Sequence, residues 1–215
     1  MSLELLVPLA ALGGALFGFG ADRLAVRWPE HEAGVTPRGL DWRTAVLTLG
    51  GGLALAALVV RWPDLAALAV LVPYALALIL LLATDLDQKL LPDLITLPLI
   101  AYAAIVLVAG WSPLLAGREL ALVSGLAAGI GAPIFLLVTD LLLKGKLGMG
   151  DLKLAVSIGF SAGVSRLFVG FLIASVLFAA LLIVLLVARR IGLRTAIPFG
   201  PMLIGAAFVA MLLQP

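Results

Sequence analysis

The chain has no cysteine and only one histidine, His31, among its 215 residues. The absence of cysteine excludes a disulfide framework, a thiol nucleophile and any metal site built on thiolates. A lone histidine cannot supply the paired imidazoles of a zinc site, so His31 is interpreted as part of a solvated loop beside Glu30 and Glu32. We therefore expect no metal site and no cofactor.

Charged residues are also scarce. They make up 12% of the chain, against 64% hydrophobic residues, and the mean hydropathy is +1.25. This composition excludes an ordinary soluble domain and predicts an all-α, polytopic membrane protein. The high pI, near 9.3, is attributed to cytoplasmic loops that face anionic lipid, and it does not indicate a nucleic-acid partner.

The charged residues leave eight uncharged stretches, which cover 5–21, 44–60, 65–84, 94–117, 120–139, 154–165, 167–188 and 195–215. Seven of them hold at least 17 residues, about the length that an α-helix needs to cross the hydrocarbon core. The sixth is short and spans only if Leu152 and Lys153 join it, with the Lys153 stem snorkelling to the interface. We predict about eight transmembrane helices, with a short sixth one.

The distribution of basic residues favours eight spans over seven. Eight spans place 11 of the 14 basic residues on one side, namely Arg23, Arg27, Arg38, Arg43, Lys89, Lys144, Lys146, Lys153, Arg189, Arg190 and Arg194. Without the sixth span the division is 9 against 5. The positive-inside rule then predicts that both termini lie outside. The start, Met1 to Glu4, lacks the basic region of a signal peptide and is interpreted as part of a retained first helix.

The chain is divided into two predicted regions. Residues 1–64 form an N-terminal two-helix region whose polar loop covers 22–43, and residues 65–215 form a six-helix domain. The predicted third helix should end at or before Leu91, because Pro92 disfavours helix in the residue before it.

Three aspartates lie close to that helix end. If the helix continues far enough, Asp85 and Lys89 share a face, whereas Asp87 points elsewhere. Asp93 is a natural cap for the fourth helix. Asp87 and Asp93 fit water-exposed helix ends, and for Asp85 a structural and a functional role stay open.

Another acidic position, Asp151, follows Gly148 and Gly150. Glycines allow a close approach of another chain, which suits a loop that lies against an extended peptide. Taken alone, Asp151 is interpreted as the cap of the sixth helix, with Lys153 as an interface anchor. Asp140 is explained by an intrahelical pair with Lys144.

Asp85 and Asp151 gain significance as a pair. Two carboxylates brought together at a membrane boundary cannot both ionise cheaply, so they share a proton. The charged one can accept a proton from water while the neutral one polarises a peptide carbonyl. This is aspartic protease chemistry, and it needs neither a metal nor a nucleophilic side chain.

Three motifs resemble those of the bacterial type IV prepilin peptidases, membrane aspartic proteases of the GxGD class. They are Asp85 to Asp93, Gly148 to Leu154 and Ile197 to Pro201, within a resemblance that covers roughly residues 65–215. The resemblance implies that Asp85 and Asp151 form the catalytic dyad. It also implies supporting or substrate-binding positions at Gly148, Gly150, Lys89, Pro198 and Gly200.

The same resemblance implies a location and a substrate. The protein would lie in the bacterial cytoplasmic membrane, with its site at the cytoplasmic face. It would remove the leader from pilin-like precursors that have a basic leader and a hydrophobic helix. The sequence does not distinguish between a pilus, a secretion and a competence system as the source of the precursor. It also leaves open whether the protein forms a homodimer.

The N-terminal part departs from the family pattern. Family members usually have a cytoplasmic domain after the first helix, with two Cys-x-x-Cys pairs that bind zinc and are linked to N-methylation. The corresponding loop here is short and has no cysteine, although residues 18–24 and 41–43 resemble the flanking helix ends. We therefore expect cleavage without methyl transfer.

Three alternatives stay open. A transporter or channel could use the acids as ion sites, but they cluster at one face and no inverted halves are evident. A catalytically silent assembly factor could share the fold, although both aspartates are retained. A presenilin-like or signal-peptide-peptidase-like enzyme shares GxGD but matches the other two motifs less well.

Overall fold

A computed structural model of the chain describes residues 3–29, 38–117, 120–143, 147–190, 192 and 199–213. These ranges contain seven α-helices and no strand: α1 Leu3–Ala25, α2 Trp42–Arg61, α3 Leu65–Gln88, α4 Asp93–Val108, α5 Ala121–Leu143, α6 Met149–Val187 and α7 Gly200–Leu212. The predicted all-α class is confirmed.

Five of these helices, α1, α2, α3, α5 and α6, are long and apolar enough to cross a membrane. Large apolar side chains point outward along them, and Leu53 and Leu141 are 72% and 77% exposed. Such a surface is stable against lipid tails rather than water. The chain is a polytopic membrane protein, as predicted.

Contacts between helix termini define two ends of the molecule. At the acidic end, Asp22 near the end of α1 meets Thr44 in the first turn of α2, and Asp85 near the end of α3 meets Gly200 at the start of α7. At the opposite end, Trp62 after α2 donates to the carbonyl of Met211 in α7. Helices α1 and α2 therefore run antiparallel, and so do α3 and α7.

The first two helices pack with almost no separation. A Cβ on Gly18 would collide with the backbone of Leu47, and one on Gly51 would collide with Gly14. Small residues let membrane helices approach this closely. At the acidic end, Asp41 caps α2, because its carboxylate accepts the N–H of Arg43 at 2.9 Å. The predicted loop 22–43 is shorter in the structure, because α1 continues to Ala25 and α2 begins at Trp42.

Helix α6 is a hairpin of two legs rather than one rod. Gly163 has φ 67° and ψ 176°, which interrupts the helix and separates a first leg, 149–162, from a second, 164–187. Ala155 and Phe171 line one cavity, although a straight helix would hold them about 24 Å apart. The second leg thus returns toward the acidic end, where α6 begins.

The two legs correspond to the predicted sixth and seventh stretches, with a different boundary. The boundary was predicted at Arg166 because this residue is charged. Arg166 is only 3% exposed, however, and lies in the second leg. Its Nη1 donates to the carbonyls of Ala210 at 3.1 Å and Leu213 at 2.7 Å. The number of membrane crossings and the side of the termini stay predictions, and so does the division at residue 64.

Candidate functional site

A cavity of about 380 Å³ opens at the acidic end of the molecule. Its walls come from the last turn of α3, the connection to α4 and the start of α6. The lining residues are Asp85, Lys89, Leu90, Leu91, Pro92, Asp93, Gly148, Met149, Gly150, Asp151 and Lys153. The structure therefore brings together five of the seven predicted site residues in one cavity.

The end of α3 sets one wall of this cavity. Lys89 is left-handed, with φ 55° and ψ 39°, and its N–H closes the last turn on the carbonyl of Asp85 at 2.9 Å. The helix thus ends at Gln88, before Leu91 as predicted. Lys89 does not continue the helix, so it does not share a helical face with Asp85 as predicted, although its charge still acts on the Asp85 carboxylate. Both residues nevertheless face the cavity.

Asp85 is buried at this wall, with 4% of its surface exposed. Its Oδ2 atom has no hydrogen-bond partner among the described residues, which is a costly position for a carboxylate. Gly200 packs directly against it, since a Cβ added to Gly200 would lie 2.6 Å from Oδ2 and 2.8 Å from Cγ. The start of α7 therefore fits the carboxylate of Asp85, and Gly200 lies beside the cavity rather than in its lining.

Asp151 is 9% exposed and lies in the first turn of α6. The interpretation of Asp151 as the helix cap is wrong, because Gly148 is the N-cap residue. The carboxylate of Asp151 instead reaches back over Gly148, where an added Cβ would lie 3.3 Å from its Oδ2 atom, in the direction that the acid of a capping box takes. The Asp151 side chain therefore lies against the start of its own helix.

Gly150 brings α6 against the α3–α4 connection. A Cβ on Gly150 would lie 2.7 Å from the Cβ of Leu91 and 3.1 Å from its carbonyl oxygen. This close packing places Asp151 near enough to Asp85 for the two carboxylates to repel each other. One shared proton relieves that repulsion.

One prediction about the neighbouring charges is wrong. Helix α4 begins at Asp93 with Pro92 as its cap residue, so Asp93 is not the cap. The Nζ atom of Lys153 pairs with Asp93 Oδ1 at 2.6 Å, and its role as an interface anchor stays a prediction. The two residues link the starts of α4 and α6 across the cavity.

The interpretation of Asp87 as a water-exposed helix end is also wrong. Its side chain is 8% exposed, and its Oδ1 accepts hydrogen bonds from Arg38 Nε at 2.5 Å and Arg43 Nη1 at 2.9 Å. The many arginines and aspartates in residues 22–43 indicate that ion pairs form there. The spacing of residues along the sequence could not show which aspartate of α3 the arginines contact.

Pro198, His31 and Lys144 are outside the described residues, so what was predicted of them stays a prediction. Asp140, the expected partner of Lys144, accepts the N–H of Leu147 at 2.8 Å. Within the described ranges, no group of three or more histidine, cysteine, aspartate or glutamate residues could hold a metal ion.

Residues 72–184 match the model of the type IV leader peptidase family. The chain belongs to the type IV leader peptidase family. The matched range holds the first two motifs, with Asp85 and Asp151, and the predicted membership is confirmed. It ends before the third motif, so it does not reach Gly200 or Pro198.

Relatives named prepilin leader peptidase/N-methyltransferase agree with this membership. The protein from Pseudomonas putida is 38% identical over 164 residues, which cover 75% of this chain and 56% of the relative. The one from Aeromonas hydrophila is 35% identical over 177 residues, covering 79% and 55%. This member of the leader peptidase family thus spans about half the length of those relatives. No solved structure gives a significant match.

Proposed function

We propose that this protein is an aspartic endopeptidase of the membrane boundary that removes the leader peptide from type IV prepilin-like precursors. The observation that carries the proposal is the placement of Asp85 and Asp151, two buried carboxylates from different helices, at one cavity. Membership of the leader peptidase family supports the choice of a peptide substrate.

The proposed chemistry needs only these two side chains and a water molecule. One carboxylate is ionised and takes a proton from the water as its oxygen attacks the scissile carbonyl carbon. The other is protonated and donates to the carbonyl oxygen. Collapse of the tetrahedral intermediate breaks the C–N bond, and the leaving nitrogen receives a proton from the dyad. Gly148 and Gly150 would leave room for an extended segment of the precursor.

An apolar cavity beside the dyad offers a place for the apolar helix of the precursor. A second cavity, of about 420 Å³, lies between α5, both legs of α6 and α7. Its lining is apolar and includes Ala155, one turn from Asp151, and Leu203, one turn from Gly200. We propose that it receives apolar side chains of the precursor while the basic leader lies at the acidic end.

The location and product follow from the same proposal. The acidic end would face the cytoplasm of a bacterium, because most basic residues lie there under the predicted topology. We propose that the new amino terminus is not methylated, since the loop 22–43 contains no cysteine. A mass increase of about 14 Da, one methylene, on the mature amino terminus would contradict this.

The direct test is cleavage of candidate precursors by purified protein in lipid vesicles. Asp85→Asn and Asp151→Asn should each abolish cleavage, because neither amide can exchange the shared proton. Asp64→Asn is the matched control: Asp64 caps α3 at the opposite end, and asparagine caps equally well. Full cleavage by either dyad variant would overturn the dyad. A wild-type protein that cleaves no precursor would favour the silent assembly factor.

A further inference from the structure

A group of ion pairs lies behind the cavity and has no part in the proposed chemistry. We call it the arginine–aspartate cluster; its members are Asp22, Arg23, Arg38, Asp41, Arg43, Thr44 and Asp87. Its centre is Asp22, whose side chain is fully buried. Asp22 accepts hydrogen bonds from Arg23 and Arg38, and from the Thr44 hydroxyl at 2.7 Å.

Arg38 connects three elements of the fold. Its Nη2 pairs with Asp22 in α1, its Nη1 with Asp41 at the cap of α2 at 2.8 Å, and its Nε with Asp87 in α3 at 2.5 Å. Arg43 adds a second bond to the same Oδ1 atom of Asp87, at 2.9 Å. A guanidinium with rigid, fork-shaped donors suits this bridging role.

Gln88, the residue after Asp87, is held as well. Its Nε2 donates to the backbone carbonyl of Ala25, the last residue of α1, at 2.7 Å and to that of Trp28, just beyond the helix, at 2.9 Å. The two residues that end α3 are therefore both fixed to the N-terminal helices. By contrast, the Oδ2 atom of Asp85, which lies two residues before Asp87, has no hydrogen-bond partner among the described residues.

We infer that the arginine–aspartate cluster positions Asp85. The cluster anchors the last turn of α3 through Asp87. The carboxylate of Asp85 therefore stays turned toward Asp151, although its own Oδ2 atom accepts no hydrogen bond from the described residues. Asp87 is then a positioning residue. The inference about geometry stands on these contacts, and only its effect on cleavage rests on the proposed function.

The geometry can be tested without any assay of cleavage. The chain has no cysteine, so a variant with Asp85→Cys and Asp151→Cys carries a single thiol pair. Dibromobimane becomes strongly fluorescent when it bridges two thiols, and the rate of that signal reports how well the pair is aligned. Adding Asp87→Asn should lower the rate about tenfold, since small displacements sharply reduce the frequency of productive geometry.

Asp64→Asn in the same double-cysteine protein is the control, as it makes the same change at the other end of α3. It should leave the bridging rate within about twofold of the parent, since an asparagine cap is equivalent. An unchanged rate with Asp87→Asn would overturn the inference. An equal loss with Asp64→Asn would overturn it too, because it would indicate general loosening of α3.

The consequence for catalysis is measured separately, in the sequence with both aspartates intact. Asp87→Asn should reduce kcat about tenfold and leave KM nearly unchanged, because it displaces a reacting group and not the substrate. Asp87→Glu should restore most of kcat, as it restores the charge. If the wild type cleaves nothing, the proposed function fails, whereas the bridging result still decides the geometric inference. A tenfold rise in KM with unchanged kcat would contradict positioning.

Discussion

Asp85 lies against a glycine that comes from the far end of the chain. A Cβ at position 200 would lie 2.6 Å from its Oδ2 atom, closer than side-chain atoms tolerate. Gly200→Ala should therefore displace the carboxylate and lower kcat about 10- to 100-fold, with protein still present in the membrane. The measurement is steady-state cleavage of a precursor by the purified variant.

Gly205→Ala provides the comparison on the same helix. A Cβ there meets only the side chain of Ala174, at 3.9 Å, which is ordinary contact. This variant should cleave at the wild-type rate within about twofold, since surface and loosely packed changes are small. Equal activity of the two alanine variants would show that Gly200 does not shape the site.

The spacing of residues along the sequence predicted that the carboxylates of Asp85 and Asp151 lie together. It did not predict which side chains surround them. Asp85 and Asp151 were paired because each lies in a short motif at a helix boundary; both line one cavity, and their catalytic role stays a prediction. The partners of Asp87 and Lys153 were missed, because Arg38, Arg43 and Asp93 are far from them in sequence. A pattern of spacing reports neighbours within one helix, whereas these pairs depend on how helices pack.

Among the helices, α6 depends most on a single residue. Gly163 has φ 67°, and a Cβ there would lie 2.7 Å from both Leu115 Cδ2 and Ser124 Oγ. Gly163→Ala should destabilise the fold by about 1–3 kcal/mol or more, from left-handed strain and these contacts. Thermal unfolding in detergent, followed by circular dichroism, would show a lower Tm.

Gly50→Ala is the appropriate comparison for that measurement. A Cβ at Gly50 meets nothing within 4 Å, and the residue lies inside α2. Alanine favours helix over glycine by about 0.5–1 kcal/mol, so its Tm should be equal or higher. A Tm for Gly163→Ala at or above that of the wild type would contradict the hairpin.

From the sequence, the boundary between the two legs was predicted at Arg166, because only charged residues divide this apolar part of the chain.

The cavity between α5, α6 and α7 yields a test of substrate placement. Gly131 lines it, and a Cβ at that position meets nothing within 4 Å, so a side chain can begin there and take up space at the cavity. Gly131→Leu should raise KM for a full precursor several-fold, about 1 kcal/mol of lost binding. It should leave KM unchanged for a short peptide that spans the cut but lacks the apolar helix.

Gly13→Leu is its matched control, since Gly13 is an exposed glycine in α1 with nothing within 4 Å of an added Cβ. KM for the full precursor should stay unchanged in this variant. If both leucine variants raise KM alike, a general effect on the membrane helices explains the change. An unchanged KM in Gly131→Leu would place the precursor helix elsewhere.

At the scale of the whole molecule, the two ends should face opposite sides of the membrane. Leu40 lies at the acidic end, beside the cap of α2, and is 71% exposed; Trp111 follows α4 at the opposite end and is 65% exposed. Because the chain has no cysteine, Leu40→Cys and Trp111→Cys each carry one thiol. A membrane-impermeant maleimide should label position 111 in intact cells, but position 40 only after the membrane is opened.

Labelling at the carboxyl end, with position 111 as the reference, decides between the two topologies that charge counting compared, because they differ only after the sixth stretch. The hairpin at Gly163 returns the chain to the acidic end before α7 begins, so an even number of crossings places both termini with position 111. Single cysteines at Leu5, 59% exposed near the start of α1, and Leu212, 38% exposed at the end of α7, should then label like position 111. Protection of either in intact cells would contradict eight spans. Labelling of position 40 from outside would place the cavity on the wrong side for a cytoplasmic leader, and the proposed cleavage would have to occur after export.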